Sequence, residues 1–424
     1  MIRPEETPQP QATKKAGAKP HRPSSSSPSY QCQYIRGLLV GEFGGDLKLE
    51  PVFDVVVERR LWNVDENGSR IEVVVDHGEA NSGERISRIR EAEVELKDGN
   101  PADLFAFARK IYAITQFRFG VRSKAERGFM LIDGQKSVFK AEPIHLDQEM
   151  DASSAFQAIS FSCVRHFRLN EELLRSKGNP EALHQTRVAL RRLRSAFSLF
   201  KAIIPGEEPR RLKEELQWLA VVFGEARNID VLLLKATDAD LVRRLKIARD
   251  ATYRDAIEAL DSFRTRALLL DLLQWLECGE YLPGNGASSV DIPKAKDFAA
   301  GALEKQRKRL KKDGKALATV DDEHRHEVRK DAKKFRYAAE FFGPLFDDKR
   351  SSRRQKKFLY AMEALQDDLG ALNDLATGPD VLVRHGLDQH PASDTVVIHA
   401  DKDKLIEKAQ ASVDEMLDTK RFRG

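Results

Sequence analysis

The sequence predicts an α+β protein, with a strand-rich N-terminal segment followed by a large all-α region made of two similar helical bundles. Three observations predict this. Val-rich, partly alternating stretches occur only before about residue 149, and apolar residues recur at helical spacing after it. Gly/Pro-containing breaks divide the second region into helix-sized pieces. A basic pattern that begins at His184 returns at His326.

Composition sets the outer limits. The chain has 424 residues, is 41% hydrophobic and 33% charged, and carries a formal net charge of +4. That total does not mark an anion binder, so any such signal must come from local clustering. The three cysteines, Cys32, Cys163 and Cys278, lie far apart and suggest neither a disulfide framework nor a cysteine-based zinc site. No run of some 18 apolar residues predicts a membrane span. The N-terminus shows no apolar signal core, and a cytoplasmic setting is expected.

Residues 1–30, with Pro8-Gln9-Pro10-Gln11 and Ser24 to Pro28, hold too few apolar side chains to offset the entropy of ordering and read as a disordered tail. Between Met1 and Leu47 no strand is predicted. Residues 31–141 form the strand-rich domain. Strands are predicted over Val52–Arg60, Arg70–Asp76 (ended by His77-Gly78) and Ile89–Lys97. Pro101 starts a helix through about Ile114, and a short strand closes the domain after Ser123–Phe129. On the third strand Glu91, Glu93, Glu95 and Lys97 share one face. That face is either solvated or lines a polar barrel, where carboxylates hold a divalent cation and basic residues hold phosphate.

Here the sequence resembles the CYTH family of triphosphate tunnel metalloenzymes. The resemblance rests on Leu49-Glu50-Pro51 with Arg59-Arg60, on Ile71-Glu72-Val73 with Asp76-His77-Gly78, on Glu91 to Lys97, and on Ser123 to Gly128. All match the second half of that domain. The family's opening Glu-x-Glu-x-Lys strand is not found before Leu47. The resemblance therefore implies an incomplete antiparallel tunnel-like module without triphosphatase activity. Its remnant site would be Glu91, Glu93, Glu95 and Lys97, with Arg59 and Lys124 as phosphate contacts. Mg²⁺ or Mn²⁺ would be needed only if that module were active.

Helices are expected at 149–176, 180–203, 209–223, 228–236, 239–262, 264–278, 293–318, 322–345, 351–371, 373–386 and 399–419. In the second of these, His184, Arg187, Arg191 and Arg194 fall within an arc of roughly 80° at about 100° per residue, opposite Leu190, Leu193 and Phe197. His326, Arg329, Lys333 and Arg336 repeat the same spacing. About 40 residues beyond each histidine stands a second marker, Phe223-Gly224-Glu225-Ala226-Arg227-Asn228 and then Leu369-Gly370-Ala371-Leu372-Asn373-Asp374. The order and spacing indicate a duplication, with halves at about 149–285 and 290–424.

A basic ladder is either a solvated, salt-bridged face or an anion site. Like charges at i,i+3 and i,i+4 destabilise a helix by roughly 0.2–0.5 kcal/mol each, so local stability does not explain them. Acidic residues are absent from Gln185 to Phe200. Stacked guanidinium groups suit a chain of phosphates, each fork binding two oxygens. A single histidine heads each ladder, which argues for phosphate contact or packing over metal.

This region, residues 149–424, resembles the CHAD domain, the conserved-histidine α-helical domain. The resemblance rests on His184-x-x-Arg187-x-x-x-Arg191-Arg192-Leu193-Arg194, on His326-x-x-Arg329-x-x-x-Lys333-Lys334-Phe335-Arg336-Tyr337, and on the two second markers. It implies non-catalytic binding of inorganic polyphosphate and association with polyphosphate granules. By that reading His184, Arg187, Arg191, Arg194, His326, Arg329, Lys333 and Arg336 contact phosphate, and Arg192 and Lys334 reach a neighbouring one. Secondary candidates are Arg264, Arg266, Arg309, Lys312 and Lys315. The alternative is a metal-dependent triphosphatase. Nucleic acid is disfavoured because no aromatic residues interleave with the arginines, and self-association is left open.

Overall fold

The computed structural model describes residues 14–16, 51–134, 136–284, 292–397 and 401–422. It comprises two compact units, Met1–Lys136 and Ser137–Gly424. The boundary lies earlier than the expected 141. The backbone N–H of Phe139 donates to Asn170 Oδ1 (3.0 Å), and the Phe139 carbonyl accepts from Asn170 Nδ2 (2.8 Å), which ties this connector to the helical unit.

The first unit is an antiparallel sheet in the order β1(Lys14–Ala16), β2(Asp54–Glu66), β3(Ser69–Ser82) and β4(Arg85–Asp98). Asn67 and Gly68 turn the β2–β3 hairpin with φ of 50° and 87°, the positive values that a tight two-residue turn requires. β1 corrects the expectation that no strand precedes Leu47, since Lys14 to Ala16 pair with Arg59 to Val57. The rest of the expected tail lies outside the described residues. β3 also runs past His77-Gly78, because Gly78 pairs with Val57 and Ile89 and the ladder continues to Ser82. Helix α1(Pro101–Ile114) starts as expected, capped by Asn100. In place of a closing strand, Ser123 and Glu126 form a reciprocal capping box that starts helix α2(Lys124–Asp133).

In the second unit the helices are α3(Ala152–Lys177), α4(Pro180–Leu199), α5(Glu207–Lys235), α6(Ala239–Asp261), α7(Phe263–Cys278), α8(Ala295–Gly314), α9(Asp322–Phe342), α10(Lys349–Arg384), α11(Ser393–Val397) and α12(Lys402–Asp418). Caps explain most of the starts. Asp151, Asn179, Asp238, Ser262, Asp321, Asp348 and Asp401 each accept from a backbone N–H of the first turn.

Three expected breaks are absent: those between 223 and 228 and between 371 and 373, and the one the Gly378-Pro379 pair predicts. α5 runs unbroken through Gly224, because Leu216, Leu219, Phe223, Ala226 and Ile229 form one buried stripe. α10 runs through Gly378-Pro379, where Val381 and Leu382 pack with Ile229, Leu241, Leu245 and Val397. Burial of that last stretch outweighs the helix-breaking tendency of proline. The halves join through aromatic rings. Phe200 of the first meets Phe298 and Phe342 of the second at centroid distances of 4.6 and 5.6 Å.

Candidate anion-binding site

α4 and α9 bring their basic faces together in the helical unit. Arg191 Nε donates to Tyr337 Oη at 2.7 Å, and the Arg191 and Arg192 guanidinium groups lie 5.9 and 5.7 Å from the Tyr337 ring centroid. Buried Arg192 forms an ion pair with Glu340 and lies 5.0 Å from the Phe341 ring centroid, so it braces the helix pair and is not open to a ligand.

Around this brace four basic side chains converge. Burial is the largest cause that brings the Arg187 pKa down to about 10, followed by Arg191, Arg329 and Arg227. Lys333 is brought down to about 5 by burial first and then by Arg191, Arg329 and Arg187, with Asp374 opposing. Burial also lowers Arg329, against the pull of Asp374 and with the push of Arg191. Basic groups from two helices thus crowd one place, with Asp374 acting against the crowding.

The second markers sit against the ladders in the same way in both halves. A Cβ on Gly224 would lie 3.6 Å from Arg187 Nη2, and one on Gly370 would lie 3.9 Å from Arg329 Nη2. The two glycines are therefore equivalent positions, which places Arg227 where Asn373 stands. Each of these faces the ladder histidine. His326 Nδ1 meets Asn373 Oδ1 at 2.8 Å, whereas His184 Nδ1 is buried without a hydrogen-bond partner. Burial and then Arg227 bring His184 down to about 4, so it is neutral near pH 7.

A cleft opens beside each ladder. The first, about 620 Å³, lies between α4 and α5, and Arg187, Arg191, Arg194, Gln217, Gly224 and Asn228 line it. The second, about 610 Å³, lies between α9 and α10, and its polar lining includes Asp322, Glu323, Arg325, His326, Arg329 and Asn373.

The remaining candidates fall outside this convergence or at its margin. Arg336 Nε donates to Glu340 (2.9 Å), and Lys334 lies 3.7 Å from Asp331. Arg309 Nε also binds Asp331, at 2.6 Å. Arg264 clamps Glu215 at 2.6 and 3.0 Å and lies over Trp218, while Arg266 bonds the Asp261 carbonyl. Lys312 and Lys315 are exposed at the end of α8. The sequence reading gave no contact role to Arg227, Asn228 or Lys213. The first two stood within the second marker; Lys213, a single lysine in a mixed-charge stretch, gave no signal.

In the first unit, register rather than periodicity builds the charged cluster. Arg59, Asp76 and Glu91 are paired across β2, β3 and β4, with Glu93 two residues along. Oxygens of Asp76, Glu91 and Glu93 lie within 4.8 Å of one another. Lys124 Nζ contacts all three at 2.8, 2.6 and 2.7 Å, and Arg59 bonds both oxygens of fully buried Asp76 at 2.8 and 2.6 Å. The Arg59 hydrogen bond is the main reason that the Asp76 pKa is lowered. Burial opposes the charge on Lys124, but the three carboxylates outweigh it and raise its pKa. Glu95 and Lys97 do not join; Lys97 bonds Glu95 and Glu72, each at 3.0 Å. Asp76 is a member that the strand-face reading omitted.

The family model of the CHAD domain matches residues 158–383, more than half of the chain. The chain belongs to the CHAD domain family. Its CHAD domain is similar to that of the plant Ricinus communis, whose crystal structure it matches at 31% identity and a TM-score of 0.56, covering 65% of this chain and 96% of that one. A CYTH domain model matches residues 17–129, which reaches further toward the N-terminus than the expected 31. An inorganic triphosphatase of Haemophilus influenzae is 38% identical over 97 residues, 23% of this chain and 28% of that protein. The matched segment thus spans less than a third of that relative. No helix among the described residues is long and apolar enough to cross a membrane.

Proposed function

We propose that this protein binds inorganic polyphosphate through its CHAD domain, without catalysis there, and associates with polyphosphate granules. One observation carries the reading: Arg187, Arg191, Arg329 and Lys333 converge from two helices, with Asp374 as the carboxylate that acts against their crowding. Like charges held together in a partly desolvated place raise the free energy of the unliganded protein. A polyanion relieves that cost along a row of sites, and guanidinium forks match phosphate oxygens in pairs. His184, with its unpartnered Nδ1, offers one further hydrogen bond.

Titration with polyphosphates of graded length tests this. The wild type binds long chains at low salt, with affinity that falls steeply as salt rises. Arg191→Glu combined with Lys333→Glu removes most of that affinity while helix content by circular dichroism is retained. Unchanged affinity in the double variant overturns the reading.

The Asp76, Glu91 and Glu93 cluster favours a second reading, a metal-dependent triphosphatase. Three carboxylates at this separation suit Mg²⁺ or Mn²⁺. Lys124 bonds the same three carboxylates, so a cation would have to displace it. Release of phosphate from triphosphate with Mg²⁺ or Mn²⁺, lost in Glu93→Ala, supports this second reading; no release in the wild type excludes it.

A further inference from the structure

The two halves share a backbone plan but differ in charge. With Gly224 set on Gly370 and His184 on His326, three carboxylates that temper the second ladder have neutral counterparts in the first. Glu327, which binds Lys330 at 2.6 Å, stands where the first half has Gln185. Asp331, which binds Arg309 and Lys334, stands where it has Ala189. Glu340, which binds Arg336 and Arg192, stands where it has Ser198.

The facing helices differ in the same sense. The α5 wall of the first cleft presents Gln217, Val221 and Asn228. The equivalent positions of α10 are Glu363, Asp367 and Asp374, of which Glu363 and Asp367 are exposed and Asp374 acts on Arg329 and Lys333. Glu225, the acidic residue lining the first cleft, is engaged by Arg384 at 3.3 Å. The second cleft is lined by Asp322, which Arg325 and Lys402 engage at 2.9 and 2.8 Å, and by exposed Glu323.

Lys213 continues the cationic path of the first cleft. It lies one turn before Gln217 on α5 and is half-buried. Burial lowers its pKa first, followed by Lys334, Arg194 and Lys201. Cations from α4 and α5 therefore meet at the far end of the first cleft, where Arg194 lines it and Lys213 lies one turn before Gln217. Arg194 Nε is buried there without a hydrogen-bond partner. In the second half Leu359 stands where Lys213 would be.

We infer that a polyphosphate chain is bound asymmetrically: it lies along the α4–α5 cleft, from the central cations out to a terminal subsite of Lys213 and Arg194, and does not extend into the α9–α10 cleft. The second half supplies Arg329 and Lys333 at the centre, and its own cleft, where Arg325 is held by Asp322 and Glu323 stands exposed, offers the chain no continued row of cations. This inference rests on the polyphosphate reading of the same domain.

The test places one negative charge on each cleft wall and compares the two. Val221 is 52% exposed on the first cleft, and Ala376 is exposed on the second, so glutamate is tolerated at both. With long-chain polyphosphate at low salt, Val221→Glu is expected to raise Kd about tenfold and Ala376→Glu to change it less than twofold. Lys213→Glu is expected to raise Kd for long chains while that for triphosphate, held by the central cations, stays within twofold. Equal losses in Val221→Glu and Ala376→Glu, a larger loss in Ala376→Glu, or no loss in either overturns the asymmetric path while polyphosphate binding itself stands. A wild type that binds no polyphosphate overturns both.

Discussion

The charged cluster of the CYTH-like unit and that of the CHAD domain treat charge in opposite ways. At Asp76, Glu91 and Glu93 each carboxylate is met by a cation of the same unit, and Lys124 and Arg59 close the network. At Arg187, Arg191 and Arg329, beside Lys333, like charges are pressed together and left largely unopposed. The first arrangement is satisfied by its own residues. On the function proposed above, an anion from outside completes the second. Charge content does not distinguish a structural cluster from a binding site; internal compensation does.

Breaking the compensated cluster has the largest expected effect on stability. Lys124→Met leaves the buried Asp76 carboxylate with Arg59 alone, and a cost of about 2 kcal/mol follows from losing a hydrogen bond to a charged group. Chemical denaturation that follows the first unit measures it, and a loss below about 1 kcal/mol would show that Arg59 suffices. Asp76 has a lowered pKa, so its pairing stabilises the fold above the ordinary carboxylate range. That contribution fades as pH falls through the lowered value.

The uncompensated cluster should respond in the opposite direction. Lys333 has a folded pKa of about 5, against an ordinary value of 10.5. Between those values the unfolded chain binds the extra proton, so this group costs stability throughout that window, and the cost grows as pH falls toward 5. Lys333→Met should therefore raise the Tm of the unliganded protein at pH 7 by a few degrees, while polyphosphate binding weakens. A lowered Tm would mean that the lysine is a structural partner of Asp374.

Polyphosphate binding should draw a proton onto Lys333, which faces Arg187 and Arg191 of α4, Arg329 of its own helix and Asp374 of α10. Affinity then rises as pH falls from 8 toward 5, by at most about tenfold per pH unit for one linked proton. Calorimetry in buffers of different ionisation enthalpy reads the uptake directly, and Lys333→Met should abolish it. The smallest effect is expected from Gly224→Ala. Its new methyl would meet Arg187 at the ordinary contact distance of 3.6 Å, so Kd should change less than about threefold, while the helix gains roughly 0.5–1 kcal/mol.

Much of the site was legible because helical spacing is a local property. His184, Arg187, Arg191 and Arg194 share a face of any helix that contains them, and the return of the pattern at His326 announced the duplication. The strand face of Glu91 and Glu93 was legible for the same reason. Partners brought from distant segments were not: the cross-strand register that sets Asp76 between Arg59 and Glu91, the capping box that aims Lys124, and the placing of Lys213 beside Arg194 and Lys334. The helices carried through Gly224 and through Gly378-Pro379 belong with these, because buried faces overrode local breaking signals.

The sequence by itself determined the fold class, the duplication and the faces on which the cations stand, since each follows from residue spacing along one element. Only the tertiary structure decided which of those cations are already paired. Arg192, Arg336 and Lys334 find carboxylates, whereas Arg187, Arg191 and Lys333 find one another. The physical reason is that spacing fixes the direction of a side chain, while the neighbours that set its free energy come from elements far away in the chain.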